Sequence, residues 1–453
     1  MFEGAEPDFG IEKSGEEDRV ADIAERASRK AAGWAATALV ILVVSLFFIW
    51  GGVTSLNDVL VPKLKGLFQL SYAQAMLIQF AFFTAYAIVS LPAGALVARL
   101  GYGRGIVVGL VGMAAGCLLF VPAAAPATYG LFLGALFVLA GGITILQVAA
   151  NPLIANLGSA RMASSRLTFA QAFNSLGTTV MPYIGARLIL GSVAKTDPSS
   201  LHGAALTAFQ TQEAAVIGRA YFGIALAMAA IAGVFWLLRR RLGAAQTAVK
   251  LSGSLSLMGR PRLGFGVLAI FLYVGAEVTI GSLLVNYLMQ RSTLGLAQQA
   301  AGELIPFYWG GAMLGRFVGS GLLRLISPGK VLAGAAVGAC ALALISAAST
   351  GQVAAWSLIA VGLMNSIMFP TIFSLALEGL GERTAQGSGL LCMAIVGGAL
   401  VPLLGGAVAD AASLAVALAV PAVCYVFIAW FGWACRRPAT ALPQGPQGEP
   451  SIP

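Results

Sequence analysis

Two carboxylates sit where hydrocarbon should surround them. The stretch from Ser45 reads SLFFIWGGVTSLNDVLVPKLK, which puts Asn57 and Asp58 at the end of a long apolar run, ahead of Lys63 and Lys65. Glu277 lies in FLYVGAEVTIGSLLVNYL, with apolar helix on both sides. An acid at such a depth costs roughly 2.5–3.5 kcal/mol on insertion scales, so it marks a functional site by default. Burial disfavours the charged form, which suits a carboxyl to take up and release a proton. The alternatives are a helix cap or a pairing with Lys63 for Asp58, and a structural acid bonded to a neighbouring helix for Glu277. Lys63 itself reads as a water boundary. Glu303 and Glu378 fall nearer the ends of their apolar runs.

Amides form a second group. Gln147 and Asn151 stand four apart in ILQVAANPLIANLG, and Gln171 and Asn174 three apart in FAQAFNSLGTTVMP, so each pair shares one helix face. An amide both donates and accepts, as a neutral polyhydroxylated ligand requires. Pro152 removes a helix hydrogen bond and can expose carbonyls beside the first pair. Polar contacts between helices are the competing role for these amides. The later part of the chain adds Asn286, Asn365, Tyr273, Tyr308 and Trp309, whose rings could stack on a sugar while the amides bind its hydroxyls. Aromatics near span ends also serve as interfacial anchors. His202 lies in a polar loop and has no assigned role.

These residues need a membrane scaffold to hold them. Of 453 residues 58% are hydrophobic and only 10% charged, against about 25% charged in a soluble domain. Twelve apolar stretches near the length of a bilayer-crossing helix occur at 34–60, 72–97, 105–125, 129–156, 166–190, 219–238, 264–289, 301–323, 331–349, 353–378, 385–408 and 412–434. Backbone groups in lipid must bond internally, so an all-α membrane protein of twelve transmembrane helices is expected.

Arg99, Arg104, Arg161, Arg166, the group from Arg239 to Arg262, Arg324, Lys330 and Arg383 gather in alternate loops. The positive-inside rule then places both termini in the cytoplasm. The long basic loop 239–263 divides the chain into an N-terminal tail (1–32), two six-helix bundles (33–238 and 264–435) and a C-terminal tail (436–453). Gly101, Arg104 and Gly105 are matched by Gly315, Arg316 and Gly319, each set read as a boundary between the second and third helices of its half. Such an internal repeat is typical of carriers with a substrate site near the midplane.

The five cysteines are scattered singly and are expected to be free thiols. No nucleophile constellation, zinc spacing or phosphate-cradling motif occurs. An enzyme, a metal centre, a bound cofactor and an ATP-driven pump are therefore not expected. The net charge of +9 fits membrane topology better than nucleic-acid binding.

Several motifs in order, NDVLVPKLK, ILQVAANPLIANLG, QAFNSLGTT, FLYVGAEVTIGSLLVNYL, FYWGGAMLGRFVGS, NSIMFPTIFSLALEGLG and QGSGLLCMAIVGGALVP, resemble the fucose–galactose–glucose:proton symporters of the major facilitator superfamily. The bacterial glucose/galactose transporter branch is the most similar, over about residues 40–435. The resemblance implies a two-bundle fold in the inner membrane, sugar and proton as partners, and a monomer. In the fucose branch a helix-one Asp and a helix-four Glu serve protonation and sugar binding. Asp58 matches the first, but Gln147 stands in place of the second and cannot titrate. Glu277 could supply the displaced carboxylate, and Asn174 matches a sugar-binding Asn. Val97 replaces an acid common in the superfamily. Asp58 is the leading candidate for proton coupling, followed by Glu277. Asn57, Gln147, Asn151, Gln171, Asn174, Asn286, Asn365, Tyr273 and Trp309 are the candidates for the sugar. N-acetylglucosamine or fucose as cargo, sodium as the coupled ion, and a non-transporting sensor are the alternatives.

Overall fold

The computed structural model describes residues 40–56, 60, 63–64, 67–70, 72–125, 127–185, 202–239 and 255–437. Asn57 and Asp58, both tails apart from Arg436 and Arg437, and most of the basic loop lie outside the described residues. Twelve helical segments are present among those described: α1 Val40–Leu56, α2 Tyr72–Leu100, α3 Tyr102–Ala124, α4 Tyr129–Asn156, α5 Ala163–Gly185, α6 Gly203–Leu238, α7 Pro261–Met289, α8 Ile305–Leu325, α9 Pro328–Ala348, α10 Gly351–Leu377, α11 Gly381–Ala411 and α12 Leu414–Ala434; nine of them, all but α1, α5 and α8, are long and apolar enough by themselves to cross a membrane. They form two bundles of six. The expected fold class holds.

Three spans differ from their sequence outlines. α6 starts well before residue 219 and runs for 36 residues. At 1.5 Å per residue that is about 54 Å, longer than the ~30 Å hydrocarbon core. Its extra turns bury Glu213, Ala214 and Ile217. Glu213 is 5% exposed and forms an ion pair with Lys63, itself 9% exposed. Lys63 is thus paired inside the protein rather than solvated, and Glu213 joins the buried acids that apolar runs alone did not reveal. α10 and α11 are each broken near mid-span, α10 between Asn365 and Met368 and α11 by a 3₁₀ turn at Ala394–Val396. Such breaks free backbone carbonyls at membrane depth, tolerated only where protein or a cavity satisfies them.

Glycines set the closest helix approaches. A Cβ on Gly142 of α4 would stand 2.3 Å from the Met113 nitrogen of α3. Between the halves, a Cβ on Gly389 of α11 would stand 2.7 Å from the Ser90 carbonyl of α2. Any side chain at either position would force the helices apart.

The halves meet through α2, α4 and α5 on one side and α8, α10 and α11 on the other. The hydrogen bonds across this seam cluster toward the end that bears Arg161, Arg166 and Arg383. Ser164 and Ser374 pair Oγ to Oγ at 2.6 Å. Ser165 donates to the Ser320 carbonyl at 2.7 Å and accepts from Arg324 Nε at 3.3 Å. Ser388 donates to the Val148 carbonyl at 2.9 Å. Toward the opposite end, α5 and α8 are joined by a weak contact from Thr179 Oγ1 to Met313 Sδ at 3.8 Å. The chain is thus cinched at its basic-loop end.

Candidate functional site

On the first half, α2, α4 and α5 bring polar side chains to the seam. Gln147 donates through Nε2 to the Tyr86 hydroxyl at 2.7 Å, and only 8% of Gln147 is exposed. One turn further along α4, Asn151 is fully buried, and Gln171 of α5 approaches its Oδ1 at 3.5 Å. Among the described residues, the other Asn151 atom, Nδ2, has no partner. A buried amide donor without a partner costs about 1–3 kcal/mol, so among the described residues this donor of Asn151 stands open to a further acceptor. Asn174 belongs to a different contact. Its Nδ2 donates to the Phe47 carbonyl of α1 at 3.1 Å, so it fastens α5 to α1.

On the second half, Glu277 is at the centre. Tyr273, one turn earlier on α7, donates to Glu277 Oε1 at 2.7 Å and also approaches the Asn365 carbonyl at 3.2 Å. Asn365 Nδ2 donates to the Tyr308 hydroxyl at 3.0 Å, and that hydroxyl lies 3.4 Å from the Glu277 carbonyl. Tyr425 of α12 faces the same amide. Asn365 is fully buried, and its Oδ1 has no partner among the described residues. α7, α8 and α10 are therefore tied together around a single acid, with Tyr425 of α12 beside them. Trp309 is 44% exposed, packs edge-on against Tyr308 with ring centroids 5.1 Å apart, and lies over α7 at Gly281, one turn beyond Glu277.

Arg316 joins the two groups. Its Nε donates to the Ser366 carbonyl at 3.1 Å, at the break in α10. Its Nη1 donates to Ser175 Oγ of α5, one turn from Gln171. Arg316, expected at a helix boundary, stands in the middle of α8, which runs on to Leu325. A polar belt thus runs from Tyr86 through Gln147, Asn151, Gln171 and Ser175 to Arg316, Ser366, Asn365, Tyr308 and Glu277.

Of the candidates from sequence, Gln147, Asn151, Gln171, Tyr273, Glu277, Asn365 and Trp309 lie along this belt or against it. Asn174 stands beside it on α5, bonded to α1. Asn286 does not join: it is exposed and nine residues beyond Glu277, which at about 100° per residue turns it to the opposite face of α7. Asn57 and Asp58 lie outside the described residues. Tyr86 and Ser175 were missed. Tyr86 carried a signal, since a hydroxyl in mid-span requires a partner. Ser175 carried none, because a serine bonded to its own helix is common in membrane spans.

Two six-helix bundles with a polar belt at their seam are the architecture of a membrane carrier. The Major Facilitator Superfamily model matches residues 42–395, and the chain belongs to that superfamily. Within it the chain falls among the fucose–galactose–glucose:proton symporters. It is 51% identical over 409 residues to the glucose/galactose transporter of Brucella abortus, covering 90% of this chain and 95% of that one. It is 36% identical over 403 residues to the L-fucose-proton symporter of Escherichia coli, covering 85% of this chain and 90% of the relative. Among solved structures it is similar to FucP in the outward conformation, with a TM-score of 0.78, 35% identity, and coverage of 87% of this chain and 98% of that one. The relatives are transporters, not enzymes.

Proposed function

We propose that the chain imports a neutral hexose, glucose or galactose, together with a proton, by alternating access across the bacterial inner membrane. The 51% identity to a glucose/galactose transporter supports the cargo. The observation that carries the mechanism is Glu277, a carboxyl enclosed by Tyr273, Tyr308 and Asn365 at the seam. With Gln147 unable to titrate, Glu277 takes the proton-coupling role beside Asp58. Gln147, Asn151, Gln171 and Asn365 present amide groups to sugar hydroxyls, and Trp309 offers a ring face. Asn174 holds α1 against α5 and acts on the sugar through that contact.

In this reading the basic-loop end is cytoplasmic, both termini lie there, and the contacts at Ser164, Ser165 and Ser388 close the inner gate. The conformation is then outward-open. The division falls within 239–263, between bundles 33–238 and 264–435, with tails 1–32 and 436–453. The working unit is a single chain. A neutralised Glu277 lets the loaded carrier close over its cargo, because burying an uncompensated charge would be costly.

Uptake into membrane vesicles with a panel of hexoses, with pH and sodium gradients imposed separately, tests the assignment. Accumulation of glucose or galactose driven by the pH gradient alone supports it. Accumulation that requires sodium, or favours N-acetylglucosamine or fucose over both hexoses, would replace it.

A further inference from the structure

Arg316 is a half-buried cation within a membrane helix, and its partners come from both bundles. It donates to the Ser366 carbonyl on its own half and to Ser175 Oγ on the other. Tyr273 on its own helix bonds the Glu277 carboxyl, Tyr308 on α8 approaches the Glu277 backbone, and Arg316 on α8 binds the Ser366 carbonyl next to Asn365, which joins both tyrosines; among the described residues, Tyr425 on α12 is the other titratable group at this cluster. α10 brings only the neutral Asn365 and Ser366. Arg316 is thus the one cation among these groups, and one of its two Nη groups is spent on the opposite half.

We propose that Arg316 converts opening of the cytoplasmic side into release of the proton from Glu277. This rests on the reading of Glu277 as a proton site. While the inner side is closed, Ser175 holds part of the guanidinium's hydrogen-bonding capacity. When the bundles rock apart, α5 carries Ser175 away. A guanidinium cannot lose its proton and must find another acceptor at that depth. The Glu277 carboxylate on the adjacent helix is that acceptor. Arg316 then stabilises the ionised form, and the Glu277 proton passes to water entering from the opened side. The empty carrier holds a compensated Glu277–Arg316 pair and can close again. On closure Ser175 recaptures Arg316, and Glu277 takes a proton from the outer side. Because coupling free energies are reciprocal, whatever weakens the Ser175 contact must also weaken proton binding in the outward state.

The test is the pH dependence of uphill sugar uptake in proteoliposomes for wild type, Ser175→Ala, Ser175→Thr, Arg316→Lys, Glu277→Gln and the double variant Ser175→Ala/Glu277→Gln. Ser175→Ala is expected to move the midpoint to more acid pH by about one unit, a tenfold change in proton concentration. Ser175→Thr restores the midpoint. Arg316→Lys, which keeps the charge but loses the planar fork, shifts it in the same direction as Ser175→Ala. Glu277→Gln abolishes uphill uptake; its residual counterflow loses the Glu277 titration and keeps only that of Asp58, and adding Ser175→Ala leaves that profile unchanged. A wild-type midpoint in both Ser175→Ala and Arg316→Lys, with an altered profile in Glu277→Gln, overturns the role of Arg316 while leaving Glu277 as the proton site. A wild-type profile in Glu277→Gln overturns the reading beneath it. A shift in counterflow caused by Ser175→Ala that persists without Glu277 overturns the proposal too, since the latch would then act elsewhere.

Discussion

The Tyr273 hydroxyl donates to Glu277 Oε1 at 2.7 Å from one turn away on the same helix. A hydroxyl so placed can donate to an ionised carboxylate and can accept from a protonated one, so both states of the acid keep a partner. Substituting Tyr273→Phe removes that partner while keeping the ring. Uphill uptake is expected to fall, with its pH optimum moved, while counterflow at saturating sugar changes less than threefold. Initial rates of both modes in proteoliposomes read this directly.

Gln147 and Tyr86 form a pair at 2.7 Å on the first half. Gln147→Ala is expected to weaken sugar binding by about 1–2 kcal/mol, roughly five- to thirtyfold in affinity, with proton coupling retained. Titration of sugar against purified carrier checks it. Unchanged affinity would take Gln147 out of the sugar site.

The Lys63–Glu213 ion pair joins the chain just beyond α1 to the extended part of α6. Lys63→Met leaves a buried carboxylate uncompensated, at a cost of about 3–5 kcal/mol, whereas the double variant Lys63→Met/Glu213→Leu is expected to recover most of the stability. Thermal unfolding in detergent compares the three proteins. Equal melting of the single and double variants would show that the pair adds little.

Ser164 and Ser374 meet at 2.6 Å across the seam. Replacing both, Ser164→Cys with Ser374→Cys, brings two thiols within disulfide reach. Oxidation is expected to stop transport by holding the basic-loop end shut, and reduction to restore it. Transport unaffected by a crosslink verified on a gel would mean that this end need not open.

Much of this was legible in the sequence because lipid leaves few choices. Apolar runs near 20 residues become helices, and Glu277, Gln147, Asn151 and Gln171 stood out as polar groups within them. What remained hidden depended on three-dimensional partners. Glu213 lies in a stretch polar enough to read as loop, and its burial follows from Lys63 coming to meet it. Arg316 read as a helix-end residue because α8 is the more polar for carrying it, and its bond to Ser175 joins residues far apart in the chain. Asn286 looked like a site residue until helical phase turned it to the other face of α7. Asp58, at the centre of the sequence argument, lies outside the described residues, so its role rests on the resemblance and on its place in an apolar run.

The most direct test of proton symport through intramembrane acids is sugar-dependent alkalinisation of a lightly buffered proteoliposome suspension. Adding glucose or galactose to wild-type carrier should consume external protons in step with sugar entering. The double variant Asp58→Asn/Glu277→Gln should still exchange sugar yet consume none. Alkalinisation of wild-type size by that double variant would contradict the assignment of the proton to these carboxyls.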